Sequence, residues 1–190
     1  MIEFFYDIGS PYSYLASERI EALAERTDTQ VWWRPFLLSG VFREVGADLG
    51  VSLGPQQRNM VRDLGRWSQR MGLSLRFPKV FPVPTADAMR ILVLAPRPER
   101  AALSHVLFRA LWGEGHDISD RSVLQELLGK ERIAQLEQSE ADLKLERITQ
   151  EAIARGAFGS PSFFVGDQLF FGNDRMDFLE EALSRSGAGR

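Results

Sequence analysis

Hydrophobic positions in this chain change period several times, and each change marks an element. Ile2-Glu3-Phe4-Phe5-Tyr6-Asp7 is a short β-rich run that reads as a strand rather than a targeting peptide. From Tyr14 to Arg26 the apolar residues Leu15, Ile20 and Leu23 recur at helical spacing, with Glu and Arg between them. Between these runs, Ser10 is placed to be the helix N-cap and Pro11 its first residue. Gln30-Val31-Trp32-Trp33-Arg34-Pro35-Phe36, rich in β-branched and aromatic residues, predicts a second strand ended by Pro35. Strand, helix and strand at this spacing imply a parallel pair with a right-handed crossover.

From about Leu38 to Gln138 the pattern changes: Leu37-Leu38-Ser39-Gly40 reads as a loop, and a helical block follows. Pro55 to Met71 predicts a helix with Met60, Leu64 and Trp67 on one stripe and Arg58, Arg62, Arg66 and Arg70 on another. Pro78, Pro82 and Pro84 mark an extended loop, and Thr85 caps a buried helix over Ala86 to Leu94. Glu99 to Trp112 and Ser119 to Leu128 are further amphipathic helices, the second capped by Ser119 or Asp120. A helix from about Glu140 to Arg155 should stop at Gly156. Ser162-Phe163-Phe164-Val165 and Gln168-Leu169-Phe170-Phe171 flank Gly166-Asp167 as a hairpin, and Met176 to Ser184 predicts a closing helix. The tail Ser186-Gly187-Ala188-Gly189 should fray.

Composition narrows the function. With 190 residues and 44% hydrophobic content, the chain can bury a core as one compact unit with room for an inserted subdomain. Its net charge is −3 and its basic residues are mostly scattered arginines, which points away from a nucleic-acid partner. No apolar run approaches the about 20 residues that span a bilayer, so no membrane partner is expected, and a start that reads as a strand and not a signal peptide favours the cytoplasm. The absence of cysteine removes disulfides, thiolate metal ligands and direct thiol exchange. His105 and His116 have no paired spacing that would suggest a metal site. Yet the N-terminus of the first helix, with its free N–H groups and dipole, favours a bound anion beside Ser10. A Cys there would be an activated thiolate; here the sulfur would have to arrive with a ligand.

The order β-α-β, helical block, α-β-β-α resembles a thioredoxin pattern split by a helical insertion. It is similar to the DsbA-like families, in which Cys-Pro-x-Cys opens the first helix; Ser10-Pro11-Tyr12-Ser13 holds that place. The resemblance narrows to the kappa-class glutathione transferases and the 2-hydroxychromene-2-carboxylate isomerases. It is carried by Phe5-Tyr6-Asp7 before Ser10, by Arg34-Pro35-Phe36-Leu37-Leu38, Gly40-Val41-Phe42 and Arg62-Asp63-Leu64, and above all by two later stretches. These are Gly156-Ala157-Phe158-Gly159-Ser160-Pro161-Ser162-Phe163-Phe164-Val165 and Phe170-Phe171-Gly172-Asn173-Asp174-Arg175.

The resemblance implies an α/β fold: a thioredoxin-like domain of residues 1–37 and 140–190, with a helical insertion of 38–139. It implies glutathione as cofactor, Ser10 donating a hydrogen bond to its thiolate, and a site completed by Pro11, Tyr12, Ser160, Pro161, Phe171, Gly172, Asn173 and Asp174. In it Ser160-Pro161 is a cis bond whose backbone pairs with the cysteinyl residue, and Asp174 accepts from the γ-glutamyl ammonium. N–H groups at the helix start after Gly172 receive the γ-glutamyl carboxylate. Arg43, where the family has a lysine, would pair with the carboxylate of a small aromatic substrate. Relatives of this kind suggest a homodimer. The chain departs from the family at Gly46-Ala47-Asp48-Leu49-Gly50-Val51, which replaces an Asn-Lys-Pro-Pro-like loop.

Each residue also has a plainer reading. Ser10 can be only a cap, worth about 1 kcal/mol; Ser160-Pro161 can be a trans turn; Gly172 to Arg175 can be a capping turn. Arg43 can be a solvated arginine, as can the Arg58 to Arg70 stripe. Trp32, Trp33, Phe36 and Trp67 read as core. The expected activity is isomerisation of a hydroxychromene carboxylate, with a kappa-like transferase or a non-catalytic thioredoxin-like binding module as alternatives.

Overall fold

A computed structural model describes residues 1–46, 54–137 and 140–187 of the chain. The predicted loop over 47–51 and the last residues of the tail lie outside the described residues. Strand β1 (Ile2–Tyr6) runs into helix α1 (Pro11–Arg26), and β2 (Val31–Pro35) returns parallel to β1. The helical block follows: α2 (Leu38–Glu44), α3 (Pro55–Met71), α4 (Ala86–Leu94), α5 (Arg97–Phe108), α6 (Arg121–Leu128) and α7 (Lys130–Ala134). Helix α8 (Glu140–Ala154) leads to the hairpin β3 (Ser162–Val165) and β4 (Gln168–Phe171), and α9 (Met176–Gly187) closes the chain. The four strands lie in the order β2-β1-β3-β4, with β3 antiparallel to both of its neighbours.

Alternation along β1 divides the sheet into two faces. Phe4 packs against Tyr6, Trp33 and Phe163, with ring centroids 4.9–5.1 Å apart. Helix α5 covers this face, where Tyr6 donates to Ser104 and Phe108 meets the Tyr6 ring. Phe5 faces the other way, against Phe36, Phe164 and the Arg34 guanidinium, and α8 brings Glu151 to that side. Removing one of the fully buried rings would cost about 3–5 kcal/mol. One hydrophobic cluster runs through the sheet and the helical block together, from Phe4 and Phe163 to Leu92, Leu111 and Leu124. We therefore propose the split into 1–37 with 140–190, and 38–139, as a division of chain topology over a shared core.

Two differences from the predicted elements have tertiary causes. The stretch read as a loop after Leu37 forms α2, because its first amide, Leu38 N–H, is held by the Asp7 carboxylate and Gly40 packs closely on Thr149. A Cβ at Gly40 would stand 3.1 Å from the Thr149 methyl. The helix predicted to end at Trp112 changes to a π-helical turn over Arg109–Glu114. That turn carries the buried Trp112 indole to the Ile8 carbonyl, 2.7 Å away. The Arg58, Arg62, Arg66 and Arg70 stripe lies on the exposed face of α3, with Arg70 over the Trp67 ring.

Candidate active site

The turn between β1 and α1 is tied down at every residue. Asp7 N–H donates to Ser160 Oγ, Ile8 N–H approaches Met89 Sδ at 3.5 Å, Gly9 N–H donates to Asp7 Oδ1, and Ser10 N–H to the Asp7 carbonyl. The Trp112 indole closes the list through the Ile8 carbonyl. This turn delivers Ser10, in extended conformation, to the N-cap of α1, where its Oγ accepts from Ser13 N–H at 3.2 Å. Pro11 has no N–H, so the amide of Tyr12 is the first free donor of the helix.

Three hydroxyls meet at this point. Ser10 Oγ donates to the Ser160 carbonyl at 2.8 Å, and Ser13 Oγ shares a hydrogen bond of 2.7 Å with Ser160 Oγ. Ser160 precedes Pro161 through a cis bond, as the resemblance implies. Ser10 and Ser160 are both buried, at 3% and 7% exposure. The plain N-cap role of Ser10 is present, and so is a second role: its proton links the start of α1 to the segment before β3. Ser13 and the Ser160 side chain were not assigned roles from the sequence, because their contact spans more than a hundred residues. Their only local signal is that both are small hydroxyl residues beside a proline motif.

Pro161 is joined to the end of β4, its carbonyl accepting from Gly172 N–H at 3.0 Å. Gly172 has φ 100°, and a Cβ there would fall 2.6 Å from Asp174 Oδ1, so only glycine fits the turn. Asn173 is buried, its carbonyl accepting from Arg19 on α1, while its Nδ2 has no hydrogen-bond partner among the described residues. A buried amide donor without a partner costs about 1–3 kcal/mol, so an acceptor brought by a ligand would relieve it. Asp174 is exposed and paired with Arg175. The rings of Phe171 and Phe158 stand 4.4 Å apart and partly exposed, over Gly159.

Tyr12, in the first turn of α1, reaches α3, its hydroxyl donating to Asp63 Oδ2 at 3.1 Å. Burial first, then Asp63 and Asp174, push its phenol well above the ordinary tyrosine value. It is a donor, not a base. Arg43 sits exposed in the last turn of α2, five residues beyond the Leu38 amide that meets Asp7. The structure thus brings Ser10, Ser160 and Pro161 together with Gly172 close by; Arg43 stands exposed on α2, whose first amide meets Asp7.

Asp7 is the residue that the sequence reading passed over. Its carboxylate, 2% exposed, accepts from Gly9 N–H, Leu38 N–H and the Thr85 hydroxyl at 2.8–2.9 Å. Thr85 stands at the N-cap of α4, but its hydroxyl goes to Asp7 instead of the helix. Burial holds the Asp7 carboxyl above its ordinary range, against the downward pull of these donors. No ion pair to Asp7 occurs among the described residues. Among them, too, no three His, Cys, Asp or Glu side chains are grouped to hold a metal ion.

A family model for the DSBA-like thioredoxin domain matches residues 1–184. The chain is 32% identical over 200 residues to a 2-hydroxychromene-2-carboxylate isomerase of Pseudomonas putida, covering 97% of this chain and 95% of that one. It is 28% identical to glutathione S-transferase kappa 2 of Caenorhabditis elegans, covering 95% and 92%. The solved structure of a 2-hydroxychromene-2-carboxylate isomerase superposes with a TM-score of 0.82 at 30% identity, covering 97% of this chain and 94% of that one. On a family match of nearly full length, the chain belongs to the DSBA-like thioredoxin family.

Proposed function

We propose that this protein is a glutathione-dependent cis–trans isomerase of the 2-hydroxychromene-2-carboxylate type. The observation that carries the reading is the Ser10–Ser13–Ser160 cluster at the start of α1, in a chain with no cysteine of its own. The unpartnered Asn173 Nδ2 supports a ligand with an acceptor at the far end of the site. When bound, glutathione would supply a thiolate able to add to a conjugated double bond and leave again once the resulting single bond has turned.

The chain's own residues would prepare that chemistry. Turning the Ser10 hydroxyl away from Ser160 releases a donor for the sulfur and a carbonyl for a backbone amide in one motion. The dipole of α1 and the Tyr12 amide favour negative charge at that point. Asn173 Nδ2 and the turn after Gly172 suit a carboxylate, and Asp174 suits an ammonium. Pro161 and Phe171 shape the wall between these ends, and Arg43 is proposed to meet the substrate carboxylate. No described helix is long and apolar enough to cross a membrane; a cytoplasmic homodimer belongs to the same reading, and sedimentation tests the dimer.

Calorimetry with glutathione is the first test: binding is expected, and none at several millimolar would exclude both this reading and the transferase. Turnover of a hydroxychromene carboxylate with free glutathione conserved supports the isomerase. Loss of free thiol into a stable conjugate would favour the kappa-like transferase, to which the 28% relative is the pointer.

A further inference from the structure

Arginines scattered along the sequence converge at the end of the sheet opposite Ser10. A cavity of about 480 Å³ opens there between the starts of β1 and β2, the N-terminus of α5 and the outer face of α8. Five arginines line it against two glutamates. Both glutamates are already engaged: Glu3 pairs with Arg34 and Arg155, and Glu151 pairs with Arg34. The other three arginines, Arg97, Arg100 and Arg147, have no carboxylate partner among the described residues. A second cavity of about 280 Å³ shares these three and adds Lys144.

The three free cations are differently prepared. The guanidinium carbon of Arg97 stands 4.0 Å from the centre of the Trp32 ring, and that of Arg34 stands 4.1 Å from the same ring. The ring contact holds Arg97 from one side and leaves its N–H groups without a carboxylate among the described residues. Arg100 is anchored by Nε to the Ala95 carbonyl and by Nη2 to the Val93 carbonyl, which leaves Nη1. Burial depresses the Arg100 guanidinium below its ordinary value, and the charges of Arg97 and Arg34 add to that. Arg147 is exposed on α8, facing the α5 pair across the cavity. Behind them, Trp32 Nε1 and the Nε of the buried Arg34 lack hydrogen-bond partners among the described residues. In a protein of net charge −3, this local excess of positive charge repels itself until an anion enters.

We propose that this cavity binds a small multivalent oxyanion of the diphosphate class, held by Arg97, Arg100 and Arg147. Guanidinium forks meet phosphate oxygens two at a time, and the forks of Arg97 and Arg147 together with the remaining Nη1 of Arg100, from two helices, suit two linked phosphoryl groups better than one. The concave shape and its volume, within the range of small-molecule pockets, favour a compact ligand over an extended polymer. The site is independent of Ser10, since Glu3 and Trp32 stand at the beginnings of their strands and Ser10 lies beyond the end of β1.

Calorimetry on the full chain tests this with inorganic diphosphate, ADP and ionic-strength-matched sulfate. Diphosphate is expected to bind more tightly than sulfate, with affinity falling as salt rises. Arg147→Ala, an exposed change, should weaken binding several-fold, and Arg97→Ala with Arg147→Ala at least tenfold, while Ser10→Ala leaves it unchanged. Tighter binding of ADP would identify a nucleoside diphosphate as the source, and equal binding the free anion; both support the site. Diphosphate binding no tighter than sulfate, or binding that survives the double substitution in a folded protein, would overturn it. Glutathione binding is measured separately, so failure here leaves the reading of Ser10 untouched.

Discussion

Strand β1 carries an acid near each end, and the two are treated in opposite ways. Glu3 meets the guanidinium groups of Arg34 and Arg155, stacked among Phe5, Trp32 and Phe164. Asp7, more deeply buried, meets two amides and a hydroxyl but no cation among the described residues. Paired charges cancel one another's field and leave a rigid joint. Donors alone stabilise the Asp7 carboxylate while leaving its charge to be felt three residues on, at Ser10. One end of the strand is a brace; the other sets the potential beside Ser10, the proposed seat of the thiol.

The largest effect is expected at the brace. Arg34→Ala removes the buried guanidinium between Glu3 and Glu151, leaves both acids to Arg155, and should lower unfolding free energy by about 3–5 kcal/mol, read by denaturant titration. The folded remainder should keep its kcat. Ser10→Ala should do the reverse, with kcat falling on the order of 100-fold through loss of a donor to developing negative charge. Stability should fall by about 1–3 kcal/mol, for the cap and the bond to the Ser160 carbonyl together. Equal losses of both in either variant would erase the contrast.

Asp7→Asn is the intermediate case. If the new carbonyl serves Gly9 and Thr85, Leu38 N–H faces an NH2 group, so a loss of about 1–3 kcal/mol is expected. Removing the negative charge should also shift the pH–rate profile for glutathione-dependent turnover to lower pH, a change that a purely structural Asp7 would not produce. The smallest effect belongs to His105, whose charged form is favoured first by its hydrogen bond to Glu18 and then by Glu21. Its folded value is raised above the ordinary 6.5, so its contribution to stability is complete below that pH and is lost as pH rises through the raised value. Thermal melts should show this decline in the native chain and not in His105→Gln.

Much of the scaffold was readable because its signals are local. Ser10 and Pro11 cap α1, Gly156 follows α8, and Gly166-Asp167 turns the hairpin, each by its own backbone chemistry. Helix α2 was not readable, since its first amide is held by Asp7, thirty-one residues away. The same holds for the site. Ser10 and Ser160 announce themselves beside prolines, whereas Asp7, Ser13, Thr85 and Trp112 act through contacts that only the folded chain creates. Trp32 was read as core and Arg34 only as part of a motif. Their stacking with Arg97 depends on the meeting of β2 with α5.

The most direct measurement is an ultraviolet titration of the thiolate of bound glutathione in the native chain and in Ser10→Ala. A sulfur seated on Ser10 requires an apparent thiol pKa below that of free glutathione in the native protein, returning toward the free value in Ser10→Ala with binding retained. Identical titrations in the two proteins would place the sulfur elsewhere and contradict the role assigned to Ser10.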